Sequence, residues 1–167
     1  IVSRGESVER GGGFRIPDII TASGAKIIEV GTTNKTYISD YSNSITNRTA
    51  AILKVHTSNF IVKGFVHTPK LIDLAKMAKT FRLPLIHDIG SGCLVDTRKY
   101  GLTKEPMVQD SVSAGVDLTL FSGDKLLGGI QSGLIVGEKS VVSRMESHPL
   151  ARAFRTDKLT LASTIST

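Results

Sequence analysis

The chain has 167 residues, enough for one domain with a substantial core, and its 40% hydrophobic and 22% charged residues are ordinary for a globular protein. The formal net charge is +6, but no Lys/Arg block is present and only 5% of residues are aromatic. The charge therefore permits an anionic partner, such as a phosphate cofactor or RNA, without requiring one. No apolar run approaches the roughly 18 residues of a membrane helix, and the first residues lack the pattern of a secretory signal.

The single cysteine, Cys93, can form neither an internal disulfide nor a cysteine-based zinc site, which favours a reducing, cytoplasmic setting. The four histidines are scattered without the spacing of metal ligands. The sequence does not begin with Met and opens on apolar residues. We therefore expect it to be a fragment of a longer protein.

In the first half of the chain, short β-rich runs alternate with helical patterns. In chain order, the patterns predict the end of a strand at residues 1–3, a glycine loop at 11–13, a helix from Pro17 to about Ser23 that stops at Gly24, a strand at 26–30, a short helix at 40–46 and an apolar strand at 50–55.

The clearest helix of the chain follows Thr68-Pro69, which we expect to cap it, because apolar residues at 71–78 recur at helical spacing. After it, the patterns predict a strand at 84–89, a helix that opens at Glu105-Pro106 and ends near Gly115, strands at 117–121 and 132–136, and a helix at 139–147.

Strands that are apolar throughout are typically buried on both faces, and their alternation with helices predicts an α/β fold with a mostly parallel sheet flanked by helices. In such sheets, ligands bind at the carboxyl ends of the strands. Three segments lie at the carboxyl ends of predicted strands: His56–Asn59, Asp88–Gly92 and Ser122–Lys125. Together they offer an acid, a lysine, small hydroxyl groups and glycines along one edge of a sheet.

This set of groups suits pyridoxal phosphate (PLP), which needs a lysine to hold its aldehyde as a Schiff base and a carboxylate to keep its pyridine nitrogen protonated. Lys125 and Asp88 are the candidates for these roles, and Ser122 and the glycine-rich turn could bind the phosphate. On pattern alone, other interpretations stay open. Lys125 could be a solvated surface charge, Asp88 a cap, Ser122 a turn hydroxyl and His56 a structural histidine.

Several segments together resemble the bacterial L-seryl-tRNA(Sec) selenium transferases. The matching segments, in the order of that family, are Ser3–Glu6, Phe14–Pro17, Glu29–Asn34, Lys54–Asn59, Asp88–Gly92, Phe121–Gly129, His148–Arg155 and Asp157–Thr160. They span nearly the whole chain, and the strongest match is Phe-Ser-Gly-Asp-Lys-Leu-Leu-Gly-Gly around Lys125.

The resemblance implies that residues 1–167 are a fragment of the PLP-binding large domain of a type I PLP-dependent transferase with the aspartate aminotransferase-like fold. The tRNA-binding N-terminal domain and the small C-terminal domain of that family would lie outside the chain. The resemblance also implies residue roles: cofactor binding by Lys125, Asp88 and Ser122, with His56 as a further candidate; acid-base chemistry by Lys125 and Asp124; and selenophosphate binding by Arg152 and Arg155.

The activity implied by the resemblance is the conversion of seryl-tRNA(Sec) to selenocysteinyl-tRNA(Sec), by β-elimination of water and addition of selenium from selenophosphate. The expected assembly is a homo-oligomer, either a dimer or a larger ring, in the cytoplasm and without membrane contact. Two alternatives remain at this point: another type I PLP lyase or transferase that acts on free amino acids, and a catalytically silent scaffold fragment.

Overall fold

The protein is described by a computed structural model that covers residues 1–167. It divides into two compact units, Ile1–His87 and Asp88–Thr167, and the boundary falls inside a strand. The strands are β1 Val2–Ser3, β2 Glu9–Arg10, β3 Phe14–Arg15, β4 Glu29–Val30, β5 Ile52–Val55, β6 Leu85–Gly90, β7 Leu118–Ser122 and β8 Gly133–Gly137. The helices are α1 Ile16–Ala22, α2 Ile38–Ser44, α3 Leu71–Thr80, α4 Val108–Ser113, α5 Lys139–Glu146, α6 Pro149–Ala153 and α7 Lys158–Ser166.

The first unit is organised around the short strand β1, which pairs in parallel with β4 on one side and β5 on the other. Val2 lies opposite Glu29 in one pairing and opposite Leu53 in the other. Its main apolar cluster consists of Val2, Val8, Ile16 and Val55. A separate antiparallel pair, β2 with β3, precedes α1.

The second unit contains the end of β6 followed by β7 and β8, and β8 runs antiparallel to β7 from Leu118 opposite Gly137 to Ser122 opposite Gly133. Its core cluster consists of Ile89, Val108 and Phe121. An antiparallel edge strand on an otherwise parallel sheet is common in α/β folds. The predicted α/β class with a mostly parallel sheet is thus confirmed, and no helix is long and apolar enough to cross a membrane.

Two predicted helix starts are wrong. Helix α3 is capped by Lys70, which is extended, and not by Thr68-Pro69. Helix α4 begins at Val108 and not at Glu105-Pro106, because the residue before a proline disfavours the helical region and because the Asp110 carboxylate accepts a hydrogen bond from the backbone N–H of Met107.

Other elements were shorter than predicted or were missed. The strand predicted at 26–30 is only Glu29–Val30. The sequence patterns did not reveal the β2–β3 pair, a 3-10 turn at Thr97–Tyr100, or helices α6 and α7. All but α7 are very short, so too few residues repeat for a period to be visible. In α7 no residue is buried, so no distinct apolar face marks the helix.

A buried ion pair links the 3-10 turn after β1, Arg4–Glu6, to β5 in the first unit. The Lys54 ammonium donates a hydrogen bond to the Glu6 carboxylate, and both side chains are largely buried. The same carboxylate accepts a 2.9 Å hydrogen bond from the backbone N–H of Val55. Burial and the nearby Glu6 carboxylate raise the pKa of Tyr41, so this fully buried phenol stays neutral.

His87 lies beside this charged pair. Burial, together with electrostatic repulsion from Lys54 and from His56, lowers the pKa of His87 to about 4 from 6.5. The folded unit therefore holds a neutral imidazole at every pH at which the protein is expected to work.

We predict that the free energy of unfolding falls as the pH drops from about 6.5 to about 4, because the unfolded chain takes up a proton on His87 that the folded chain refuses. The contribution of this one group is on the order of 3 kcal/mol. His87→Gln should flatten the pH dependence over this range in chemical denaturation experiments. Equal slopes for wild type and His87→Gln would contradict the prediction.

Candidate functional site

Lys125 lies in a tight turn that follows β7. The turn is held by backbone hydrogen bonds, from the Gly128 N–H to the Lys125 carbonyl at 2.9 Å and from the Gly129 N–H to the Gly123 carbonyl at 2.8 Å. The side chains of Asp124 and Lys125 are exposed. A fixed backbone thus presents a carboxylate and an amine just beyond the carboxyl end of a strand.

Asp88 lies near the carboxyl end of β6 and is half-buried. The chain leaves the strand through Gly90 and Gly92, whose φ angles are +69° and +67°. These angles belong to the left-handed region, which glycine adopts without strain. Between them, the Ser91 N–H donates a 2.7 Å hydrogen bond to the Ile89 carbonyl.

The loop after β6 and the turn after β7 contact each other closely. A Cβ atom on Gly92 would lie 2.7 Å from the Ser122 carbonyl oxygen and 3.0 Å from the Phe121 ring. The Leu126 N–H donates a 2.9 Å hydrogen bond to the Ser91 carbonyl. The structure therefore brings together the two segments that carry Asp88, Ser122 and Lys125.

Ser91 is a residue of this region that the sequence analysis did not assign. It is 6% exposed, and its Oγ atom has no hydrogen-bond partner. Its signal in the sequence is a hydroxyl between two glycines directly after the strand that carries Asp88. A carboxylate, an amine and two hydroxyls, one of them unsatisfied, are the groups that a PLP site requires, so the residues present fit that cofactor.

The remaining candidates lie elsewhere. His56 follows β5 directly in the first unit, where it is half-buried. Arg152 in α6 and Arg155 just after it are exposed, and neither guanidinium forms an ion pair or a hydrogen bond with another side chain. Both arginines are thus accessible to an anion. No ion pair or side-chain hydrogen bond connects either of them to the turn at Lys125.

Two of the sequence motifs that carry the resemblance encode helix caps. The His148 ring accepts a hydrogen bond from the Leu150 N–H at the start of α6. The Asp157 carboxylate accepts hydrogen bonds from the N–H groups of Leu159 at 2.8 Å and Thr160 at 3.0 Å at the start of α7. These bonds, with one from the Thr160 hydroxyl, lower the pKa of Asp157. The caps fix where the helices on either side of Arg155 begin.

We predict that Gly92→Ala destabilises the protein by about 2–5 kcal/mol, because alanine would be strained at this φ and its methyl group would overlap the Ser122 carbonyl. Gly115→Ala is the matched control: its φ is +84°, but no atom lies within 4 Å of the added methyl group. It should cost only the backbone strain of about 1–2 kcal/mol. Equal losses in urea unfolding would show that the approach to Ser122 is unimportant.

Comparison with known proteins connects this site to one family. The family model described as SelA, L-seryl-tRNA selenium transferase, matches residues 1–167. The L-seryl-tRNA(Sec) selenium transferase of Alkaliphilus oremlandii (strain OhILAs) is 56% identical over 162 residues, and that of Alkaliphilus metalliredigens (strain QYMF) is 55% identical over 162 residues. Each match covers 97% of this chain but only 35% of the relative's length.

Solved structures agree on the fold. D-glucosaminate-6-phosphate ammonia-lyase superposes with a TM-score of 0.77 at 25% identity and covers 99% of this chain and 41% of its own. A double mutant of Thermus thermophilus aspartate aminotransferase gives a TM-score of 0.64 at 22% identity, with 99% and 41% covered. The fold is that of the type I, aspartate aminotransferase-like enzymes. With the match along its whole length, the chain belongs to the L-seryl-tRNA selenium transferase family.

Proposed function

We propose that residues 1–167 are part of the PLP-binding large domain of an enzyme that converts seryl-tRNA(Sec) to selenocysteinyl-tRNA(Sec) with selenophosphate. The family match supports the reaction. The observation that carries the proposal is the hydrogen bond from the Leu126 N–H to the Ser91 carbonyl, together with the fit of Gly92 under Ser122. These contacts join the acidic motif at Asp88 to the lysine motif at Lys125.

In this proposal, the Lys125 amine would hold the aldehyde of PLP and Asp88 would pair with its pyridine nitrogen. Ser122 and the backbone amides of the turn would bind the phosphate, and His56 is the further cofactor-binding candidate that the family resemblance implies. When bound, PLP supplies an electron sink for the negative charge that forms at the substrate α-carbon.

The proton transfers are assigned to Lys125 and Asp124. The Lys125 Nζ atom would accept the proton from the substrate α-carbon. Asp124 is exposed beside it, so its carboxylate would relay a proton to the departing hydroxyl group or assist the later release of phosphate. The first stage removes water across the Cα–Cβ bond. In the second stage, selenium would bond to Cβ, a proton would return to Cα, and water would cleave the selenium–phosphorus bond and release phosphate.

Arg152 and Arg155 are proposed to hold the selenophosphate. A guanidinium presents several N–H donors in a plane and suits the oxygens of a phosphate-like anion. Both side chains are exposed, and neither guanidinium is engaged in an ion pair, which supports a role in binding a ligand.

The proposal extends to partners and location. The tRNA is bound through parts of the protein outside residues 1–167, since the chain spans 35% of the length of its relatives. The enzyme works as a homo-oligomer, a dimer or a larger ring, in the cytoplasm. The single buried cysteine, Cys93, suits a reducing compartment.

Lys125 can be tested by spectroscopy on the full-length protein that carries this chain. With added PLP, the wild type should show the visible absorption band of a lysine Schiff base, and Lys125→Ala should lose it. Borohydride reduction followed by peptide mass analysis should place the cofactor on Lys125. Lys99→Ala, which removes another exposed lysine of the second unit, should keep the band. A band that survives in Lys125→Ala would contradict the assignment.

The arginines separate the proposed reaction from its main alternative, a type I PLP lyase acting on free amino acids. Because the chain is similar to D-glucosaminate-6-phosphate ammonia-lyase, a lyase activity is the alternative that most needs to be tested.

We predict that Arg152→Gln and Arg155→Gln each raise the KM for selenophosphate about ten- to a hundredfold, because hydrogen bonds to charged groups contribute about 1.5–3 kcal/mol. Arg144→Gln, which removes an exposed arginine of α5, should leave the KM unchanged. Turnover of free cysteine or cystathionine as fast as that of seryl-tRNA(Sec), without an effect of the arginine variants, would instead support the lyase.

A further inference from the structure

Ser91 is an unusual residue because its hydroxyl is buried and unsatisfied. Ser91 is 6% exposed, and its Oγ atom has no hydrogen-bond partner. Two other buried hydroxyls are paired: Ser3 shares a 2.7 Å hydrogen bond with Thr36, and Thr97 donates a 2.6 Å hydrogen bond to the Thr103 carbonyl. A folded protein rarely leaves such a group without a partner, so this hydroxyl calls for an explanation.

The position of Ser91 connects it to the candidate site. Its carbonyl accepts the 2.9 Å hydrogen bond from the Leu126 N–H, so its backbone lies against the residue that follows Lys125. It also lies three residues after Asp88 in the same strand-end loop. Ser91 thus belongs to the loop that carries Asp88 and is hydrogen-bonded to the turn that carries Lys125, and its hydroxyl has no partner.

The loop backbone around Ser91 is fixed. Gly90 and Gly92 hold positive φ angles on either side, and Gly92 is packed under the Ser122 carbonyl. The backbone therefore has little freedom to carry the hydroxyl elsewhere. A serine side chain has three staggered χ1 positions, so the Oγ atom can still turn toward a ligand without backbone movement.

We propose that Ser91 is a further cofactor-binding residue, whose hydroxyl donates a hydrogen bond to an anionic oxygen of the bound cofactor. The inference rests on the proposed PLP chemistry and deepens it. PLP carries two such oxygens, on the ring hydroxyl and on the phosphate. The hydroxyl has no partner within the chain and would gain one when the cofactor binds.

In the full-length protein, Ser91→Ala should weaken cofactor binding but should not lower the stability of the cofactor-free protein. Without cofactor, the variant should be as stable as the wild type or more stable, because it removes an unsatisfied buried hydroxyl. Its Kd for PLP, measured by titration of the apoprotein, should rise about tenfold, which corresponds to about 1.4 kcal/mol. Ser111→Ala is the matched control, since Ser111 is fully buried in the same unit but has a partner. It should lower stability and leave the Kd unchanged.

Two further measurements identify the oxygen that Ser91 contacts. If the partner is the phosphate, Ser91→Ala should weaken binding of PLP but not of pyridoxal, which lacks the phosphate. If the partner is the ring oxygen, binding of both should weaken, and the pH midpoint of the visible absorption band should shift in the variant. Either result supports the proposal.

The proposal is overturned if the wild type binds PLP and Ser91→Ala binds both compounds as tightly, with an unchanged pH midpoint. An enclosed water or simple space-filling by Ser91 would give that result. If the wild type binds neither compound, both this inference and the proposed function fail, so the two failures are distinguishable. A Ser91→Ala variant that is less stable without cofactor and unchanged in affinity would assign Ser91 a structural role only.

Discussion

The candidate site depends on how closely two strand-end loops can approach, and the limit is set at Gly92. Its Cα faces the Ser122 carbonyl oxygen so closely that a Cβ would lie 2.7 Å from it. Only because this side chain is missing can the Ser91 carbonyl accept the hydrogen bond from the Leu126 N–H. The rest of the site follows from this contact, since the loop carries the acid and the turn carries the lysine.

The first unit satisfies a different constraint, the cost of burying charge. Glu6 and Lys54 form an ion pair. The Glu6 carboxylate also accepts a hydrogen bond from the Val55 N–H, so both of its oxygens have a hydrogen-bond partner. His87 lies near the positive charge of Lys54 and is held neutral by burial and by that charge. The interior of this unit thus contains an ion pair and a neutral imidazole. The ion pair connects β5 to the turn that follows β1.

The sequence was sufficient to predict the α/β class and the strand ends at Asp88 and Lys125, because apolar strands followed by glycine and polar residues are local patterns. It was insufficient for the start of α4, where the proline at 106 looked like a first helical residue but Asp110 caps the helix from Met107. Ser91 was missed for another reason. Whether a hydroxyl is satisfied depends on residues distant in sequence, here the turn after β7, and no local pattern records that.

The same reasoning explains why the matching motifs are not equivalent. His148 and Asp157 accept hydrogen bonds from backbone N–H groups at helix starts, so their chemistry is already used within the fold. Ser91 has no partner, and Arg152 and Arg155 form no ion pairs within the chain. Residues whose polar groups are satisfied internally specify structure, whereas a buried polar group left unsatisfied costs stability and calls for an explanation such as a ligand. By this criterion the caps around Arg155 are scaffold, and Ser91 is the buried group near the Lys125 turn for which we propose a ligand.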